Sequence, residues 1–213
     1  MVLSLSPGPA LIEKLWHYQK YANMWRITDD FWDDWKLLKN MFYRCELWQD
    51  YVEAGCYPDC DMLPLGQLGG GFGRGERTTQ FTRDEQRTMM TPWCLFGSPL
   101  MIGAELTKLD GWTLSLLTNQ DVLAMLTPDC RPRQVQRDES KAIWIAVNGK
   151  NNAQYAAFFN LADKPNFIAA TQAEMGVRAA TGIELWTGAK ADINGERLAV
   201  ELAPHSCAVY KLR

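Results

Sequence analysis

Two periodicities divide the chain. Up to about residue 130, short apolar runs alternate with amphipathic stretches of helical length; from about 134 only short alternating segments remain. Val2-Leu3-Ser4-Leu5-Ser6 reads as a buried strand halted by Pro7-Gly8-Pro9. Leu11, Leu15 and Tyr18 then repeat at helical spacing over 10–21. Trp25-Arg26-Ile27-Thr28 predicts a second strand with Asp29 and Asp30 at its C-terminal end, and a long helix follows over 33–53. Thr82 and Glu85 form a capping box for a helix to Phe96, in which Pro92 predicts a kink. Pro99-Leu100-Met101-Ile102-Gly103-Ala104 reads as another buried strand, followed by a helix over 113–126 that ends before Pro128. Strand and helix in alternation imply a parallel sheet with crossover helices.

The later segments are Ala142 to Val147, Tyr155 to Asn160, Gly176 to Ala180, Glu184 to Trp186, Leu198 to Leu202 and Cys207 to Leu212. Asn148-Gly149 and Asn194-Gly195 supply hairpin turns among them. A separate, small antiparallel sandwich over 134–213 follows an α/β unit over 1–130.

Composition narrows the possibilities. At 213 residues and 47% hydrophobic the chain can fill a substantial core, and a net charge of -3 with scattered lysines and arginines gives no basic stripe to follow a phosphate backbone. Nucleic acid is therefore not expected as a partner. No apolar run reaches the ~20 residues that cross a bilayer, so no membrane partner is expected either. The six cysteines are dispersed; Cys56 and Cys60 are close, but no second pair follows and His17 and His205 stand alone, so no metal or other cofactor is expected. Gly69-Gly70-Gly71-Phe72-Gly73-Arg74-Gly75 lacks the Lys-Ser/Thr ending of a phosphate loop and reads as a flexible loop beside a site.

The densest chemistry lies in Met24-Trp25-Arg26-Ile27-Thr28-Asp29-Asp30-Phe31-Trp32-Asp33-Asp34-Trp35. A carboxylate held between indole faces is desolvated and can keep a proton near neutral pH, as a general acid must. Indole faces also suit the C–H face of a sugar ring, which makes Trp25 a candidate binding residue. The plainer reading is that these aspartates cap the following helix. Both hold if one aspartate ends the strand while its neighbours open the helix.

The ordered motifs Ser4-Leu5-Ser6-Pro7-Gly8-Pro9, Trp25-Arg26 with Asp30 and Trp35, Asp59-Cys60-Asp61-Met62-Leu63, and Pro99-Leu100-Met101-Ile102-Gly103 resemble those of the α-galactosidases and α-N-acetylgalactosaminidases of glycoside hydrolase family 27. Leu185-Trp186-Thr187-Gly188 and Pro204-His205-Ser206-Cys207 resemble the family's sandwich domain. The resemblance covers essentially the whole chain. It implies the C-terminal half of a (β/α)8 TIM barrel, strands five to eight, followed by a β-sandwich. By it, Asp30 matches the catalytic acid/base, Arg26 binds sugar hydroxyls, and Asp61 and Met62 line the same pocket, all at the C-terminal strand ends where barrel enzymes keep their chemistry. Asp33 and Asp34 are then left as helix-entry acids.

The implied reaction is retaining hydrolysis of a terminal α-D-galactosyl residue by two carboxylates roughly 5–5.5 Å apart. The resemblance places the attacking aspartate on the fourth barrel strand, so the chain is expected to be a fragment lacking its nucleophile, inactive alone, with the other half of the barrel as its partner. Asp61 is a poor substitute because its role in the family differs. Ser6 stands where many relatives carry a residue contacting the sugar's 2-position; a small neutral side chain there leaves α-N-acetylgalactosaminidase or β-L-arabinopyranosidase activity open. A non-catalytic sugar-binding protein, or two separate chains that assemble, are the competing expectations. An open barrel edge is also an aggregation liability.

Overall fold

The computed structural model describes residues 1–69, 75–193 and 196–213. The α/β part begins with β1 (Ser4–Leu5), a 3-10 turn at Ile12–Lys14, α1 (Leu15–Tyr21), β2 (Met24–Arg26), α2 (Trp35–Trp48), and β3 (Tyr57–Asp59). β1, β2 and β3 are parallel and in sequence order, with Leu5 opposite Trp25 and Arg26 opposite Asp59. The backbone turns at Asp61 (φ 71°) and resumes as β4 (Met62–Leu63). β5 (Gln67–Leu68) and β6 (Arg77–Thr78) form an antiparallel hairpin, α3 (Arg83–Phe96) follows, and β7 (Met101–Ile102) pairs parallel with β4. This alternation builds the expected arc of a β/α barrel.

The helices form where the side chains allow. α2 starts at Asp34, whose carboxylate accepts from the Lys36 N–H at 2.7 Å, and buries Leu38, Met41, Phe42, Cys45 and Trp48 along one stripe. α3 carries the capping box expected from Thr82 and Glu85 and ends at Gly97, whose φ of 87° a larger residue adopts only with strain. Pro92 lies inside it.

Three expectations need correction. The helix over 113–126 is two, α4 (Gly111–Leu117) and α5 (Gln120–Leu123), because the Asn119 side chain accepts from the N–H groups of Asp121 and Val122 and so starts a new helix. The run Val2–Ser6 is not buried: Val2 is 72% exposed, and only Ser4 and Leu5 pair. Nor is β7, where Met101 is 53% exposed. β1 and β7 are the outer strands of the arc, each paired on one side among the described residues, so the apolar sequence that predicts burial meets no covering layer there.

The remainder is β8 (Cys130–Arg137), β9 (Lys141–Asn148), β10 (Gln154–Asn160), β11 (Asn166–Thr171), α6 (Gln172–Met175), β12 (Thr181–Glu184), β13 (Lys190–Asp192), β14 (Arg197–Leu202) and β15 (Cys207–Leu212). A six-stranded sheet, ordered β13-β12-β15-β10-β9-β8 and antiparallel throughout, faces a two-stranded β11-β14 sheet. Side chains alternate between the two faces of a strand. Ile143, Ile145, Phe158, Tyr210 and Leu212 therefore meet Ile168, Leu198 and Leu202 of the smaller sheet. Trp144, Tyr155, Phe159 and Val209 point the other way into the core of the barrel half, where the Phe159 and Phe42 rings meet edge to face at 4.8 Å. The sandwich is thus buried on both faces of its main sheet. Gly176–Ala180, expected as a strand, is not one, since Gly176 (φ 68°) is the left-handed cap of α6. The Asn148-Gly149 turn is longer than two residues, the Asn148 side chain accepting from Lys150 N–H and Asn151 N–H. Asn194-Gly195 and most of the glycine-rich run lie outside the described residues.

Candidate functional site

Arg26 is the last residue of β2, so its side chain leaves the C-terminal end of the parallel strands. Its guanidinium joins two carboxylates: Nη2 donates to Asp30 Oδ1 at 2.7 Å, and Nη1 lies 3.3 Å from Asp61 Oδ2. Asp61 sits at the break between β3 and β4, and its other contact fixes the acidic loop, accepting from the Phe31 N–H at 2.7 Å. Two bonds hold Asp61 itself: its N–H donates to Asp59 Oδ1 at 2.9 Å, and the Trp93 indole donates to its carbonyl at 3.2 Å. A non-glycine residue at positive φ is held only by such surroundings.

Within this cluster the two outer carboxylates differ. The Asp30 side chain is 73% exposed, and that of Asp61 17%. Asp30 therefore faces the approach to the strand ends, while Asp61 forms the wall behind Arg26. Desolvation, expected for Asp30 from its neighbouring indoles, falls on Asp59 instead. Asp59 is buried, and burial pushes its carboxyl up to about 6, with the nearby Asp61 charge adding to the rise and the Asp61 N–H and Arg26 opposing it.

The other sequence candidates separate. Ser6 is exposed in the loop after β1. That loop adjoins the acidic loop: the Ala10 N–H donates to the Arg26 carbonyl at 3.0 Å, and a Cβ on Gly8 would lie 3.3 Å from Asp29 Oδ1. Met62 is half-buried at the start of β4, its sulfur against Gly103. Trp25 takes no part in the cluster. It alternates to the opposite side of β2, fully buried, with its ring stacked on Tyr18 at 5.6 Å and tilted against Trp48 at 6.0 Å. Trp35 stacks at 3.8 Å on His205, whose ring nitrogens lie 2.7 Å from Glu85 Oε1 and 2.8 Å from Asp163 Oδ1.

Asp33 is not a helix-entry acid. Asp34 caps α2 alone, whereas Asp33 turns inward and binds both terminal nitrogens of Arg77, at 2.5 and 2.6 Å, and the Gln80 N–H at 2.6 Å. Nothing in the spacing of Asp33 and Arg77 signals this pair, because 44 residues separate them. Cys56 and Cys60 point apart, Cys60 Sγ lying 3.6 Å from Cys45 Sγ and Cys56 Sγ 3.9 Å from the Gln19 carbonyl. Among the described residues no group of three or more His, Cys, Asp or Glu side chains could hold a metal ion.

Both parts of the chain are similar to known proteins. A family model described as alpha galactosidase A matches residues 12–127, and one described as the alpha galactosidase C-terminal beta sandwich domain matches 138–212. Alpha-galactosidase 2 of Arabidopsis thaliana is 26% identical over 196 residues, which are 90% of this chain and 46% of that protein. A β-L-arabinopyranosidase of glycoside hydrolase family 27 from Geobacillus stearothermophilus superposes with a TM-score of 0.93 at 42% identity, covering 99% of this chain and 49% of its own. A candidate α-N-acetylgalactosaminidase from Bacillus halodurans gives a TM-score of 0.80 at 43% identity, covering 100% and 49%. The chain spans about half the length of these relatives, 46% and 49%.

Proposed function

Since the chain belongs to the α-galactosidase family, glycoside hydrolase family 27, we propose that it carries the acid/base half of a retaining glycosidase site. The observation that supports this is the Arg26 guanidinium at the end of β2, holding a solvent-facing Asp30 at 2.7 Å and a walled-in Asp61 at 3.3 Å. Asp30 has the access that proton transfer to a glycosidic oxygen requires. Asp61 is held through one oxygen, Oδ2, by Arg26 and by the Phe31 N–H, and serves as the polar wall of the sugar pocket. The attacking carboxylate, ~5–5.5 Å from Asp30 in a retaining site, comes from chain outside residues 1–213.

In the free site Arg26 Nη2 donates to Asp30 Oδ1 at 2.7 Å. A sugar hydroxyl that accepts from Arg26 competes with this pair and frees the Asp30 carboxyl to meet the leaving oxygen, to which it gives a proton. After the glycosyl intermediate forms, Asp30 is again a base and takes a proton from water.

The sugar is a terminal α-D-galactosyl residue or the β-L-arabinopyranosyl residue of the same ring configuration, which lacks the exocyclic hydroxymethyl group. The second is favoured by the TM-score of 0.93 to the arabinopyranosidase against 0.80 to the candidate α-N-acetylgalactosaminidase, since the identities of 42% and 43% do not separate those two. Hydrolysis of the nitrophenyl α-galactoside, β-L-arabinopyranoside and α-N-acetylgalactosaminide by the complete enzyme ranks the three. We expect the first two to be cleaved with retention, seen by NMR as the first anomer released, and the 213-residue chain alone to turn over none. Inversion at the anomeric carbon, or turnover by the chain alone, would overturn the reading.

A further inference from the structure

The loop between β2 and α2 carries Asp30 yet has no helix or sheet of its own to fix it. Its anchors are specific bonds. Ile27 N–H donates to the Asp59 carbonyl at 2.9 Å, Phe31 N–H to Asp61 at 2.7 Å, and beyond Phe31 the loop is held through the Asp33 carboxylate. Asp33 accepts three bonds from the far side of a hairpin: two from Arg77 on β6 and one from the Gln80 N–H just after it. The Phe31 ring is buried between them, 4.9 Å from Trp93 and 6.3 Å from Phe81. Alternate residues therefore point in, Phe31 and Asp33, while Asp30 and Asp34 point out.

A buried ion pair is weak grounds for stability, because desolvating two charges offsets most of their attraction. Its strength is directional: a guanidinium bound through two nitrogens fixes a carboxylate in position and orientation. Helix capping does not require Asp33, since Asp34 does it. Burial raises the Asp33 carboxyl, but the Arg77 and Gln80 donors outweigh burial and keep it below its usual range, so the pair stays charged where the enzyme would work.

We propose that Asp33, locked by Arg77, is a positioning residue for the acid/base Asp30, holding the loop so that its carboxylate meets the glycosidic oxygen. This rests on the assignment of Asp30 made above. In the first step, which kcat/KM reports, misplacing a proton donor slows only bond cleavage that needs protonation. A leaving group that departs without help is insensitive to it, whereas loss of folded enzyme or of sugar binding affects every substrate alike.

The test is kcat/KM of the complete enzyme on a phenyl glycoside and on its 2,4-dinitrophenyl counterpart, for Asp33→Asn, Arg77→Lys and Asp30→Ala. For Asp33→Asn we expect a loss on the order of 100-fold with the phenyl substrate, as a misplacement of ~1 Å would give, and under about 3-fold with the dinitrophenyl one. Arg77→Lys keeps the charge but not the two-nitrogen geometry, and should show the same selective loss at smaller size even if the Asp33 variant fails to fold. Asp30→Ala must show the selective loss most strongly. If it does and neither clamp variant follows, positioning by Asp33 is wrong while the assignment of Asp30 stands. If Asp30→Ala loses both substrates equally, the assignment and this inference fall together.

Discussion

Asp59→Asn should make the protein more stable at neutral pH, by an amount that depends on pH in a defined way. In the folded chain burial raises the Asp59 carboxyl from about 3.8 to about 6. Between these values the unfolded chain has lost the proton and the folded chain keeps it, so stability falls as pH rises from about 4 to about 6. Above that the folded state carries the full cost of a buried charge. Two pKa units at about 1.4 kcal/mol each give about 3 kcal/mol. The substituted amide cannot ionise, but its carbonyl can still accept from the Asp61 N–H, so the turn at Asp61 survives. Urea unfolding of the parent and the variant at pH 4.0, 5.0, 6.0 and 7.5 measures the difference directly. We expect it near zero at the acid end and about 3 kcal/mol in favour of the variant at the other. Carboxylates held low elsewhere, such as Asp33, Asp110 and Asp138, lose stability on acidification in both proteins and cancel. A flat difference across this range, or a variant less stable at pH 7.5, would refute the placement of Asp59 as a desolvated acid.

Four further substitutions probe the packing of the α/β part. Phe31→Ala removes a fully buried ring from between Trp93 and Phe81 and should cost about 3–5 kcal/mol in urea unfolding. Thr82→Ala breaks one arm of the capping box of α3 and should cost ~1 kcal/mol, with a matching drop in Tm. Gly55→Ala, left-handed with open space around it, should cost the roughly 1–2 kcal/mol of the backbone alone, whereas Gly97→Ala, equally left-handed and with its Cβ 3.1 Å from Val52 Cγ1, should cost more.

The sequence reveals what local chemistry decides. The Thr82–Glu85 capping box marks α3 to the residue, and Arg26 and Asp30 meet because a strand end and a short loop bring them together. It does not reveal what depends on covering layers. Val2–Ser6 and Pro99–Ala104 have the composition of buried strands, but whether they are covered depends on which strands lie beside them. β8 hides for the opposite reason: Cys130, Pro132 and Gln134 alternate inward among arginines and glutamine, a polar sequence in which the inward face is hard to see. Charge placement is legible only in part. Asp30, Asp33 and Asp34 differ in fate because Arg26, Arg77 and the Lys36 N–H reach them from different directions, and of these only the Arg77 contact is too distant in sequence to read from spacing.

The role of Asp30 is the centre of the account, and azide rescue tests it most directly. In the complete enzyme Asp30→Ala removes the base that activates water, so a dinitrophenyl glycoside should still form the glycosyl intermediate and then stall. Azide, which needs no base, should restore turnover and yield a glycosyl azide with the substrate's anomeric configuration. An Asp30→Ala enzyme that turns over normally, or that azide leaves unchanged while the intermediate fails to form, would contradict the assignment.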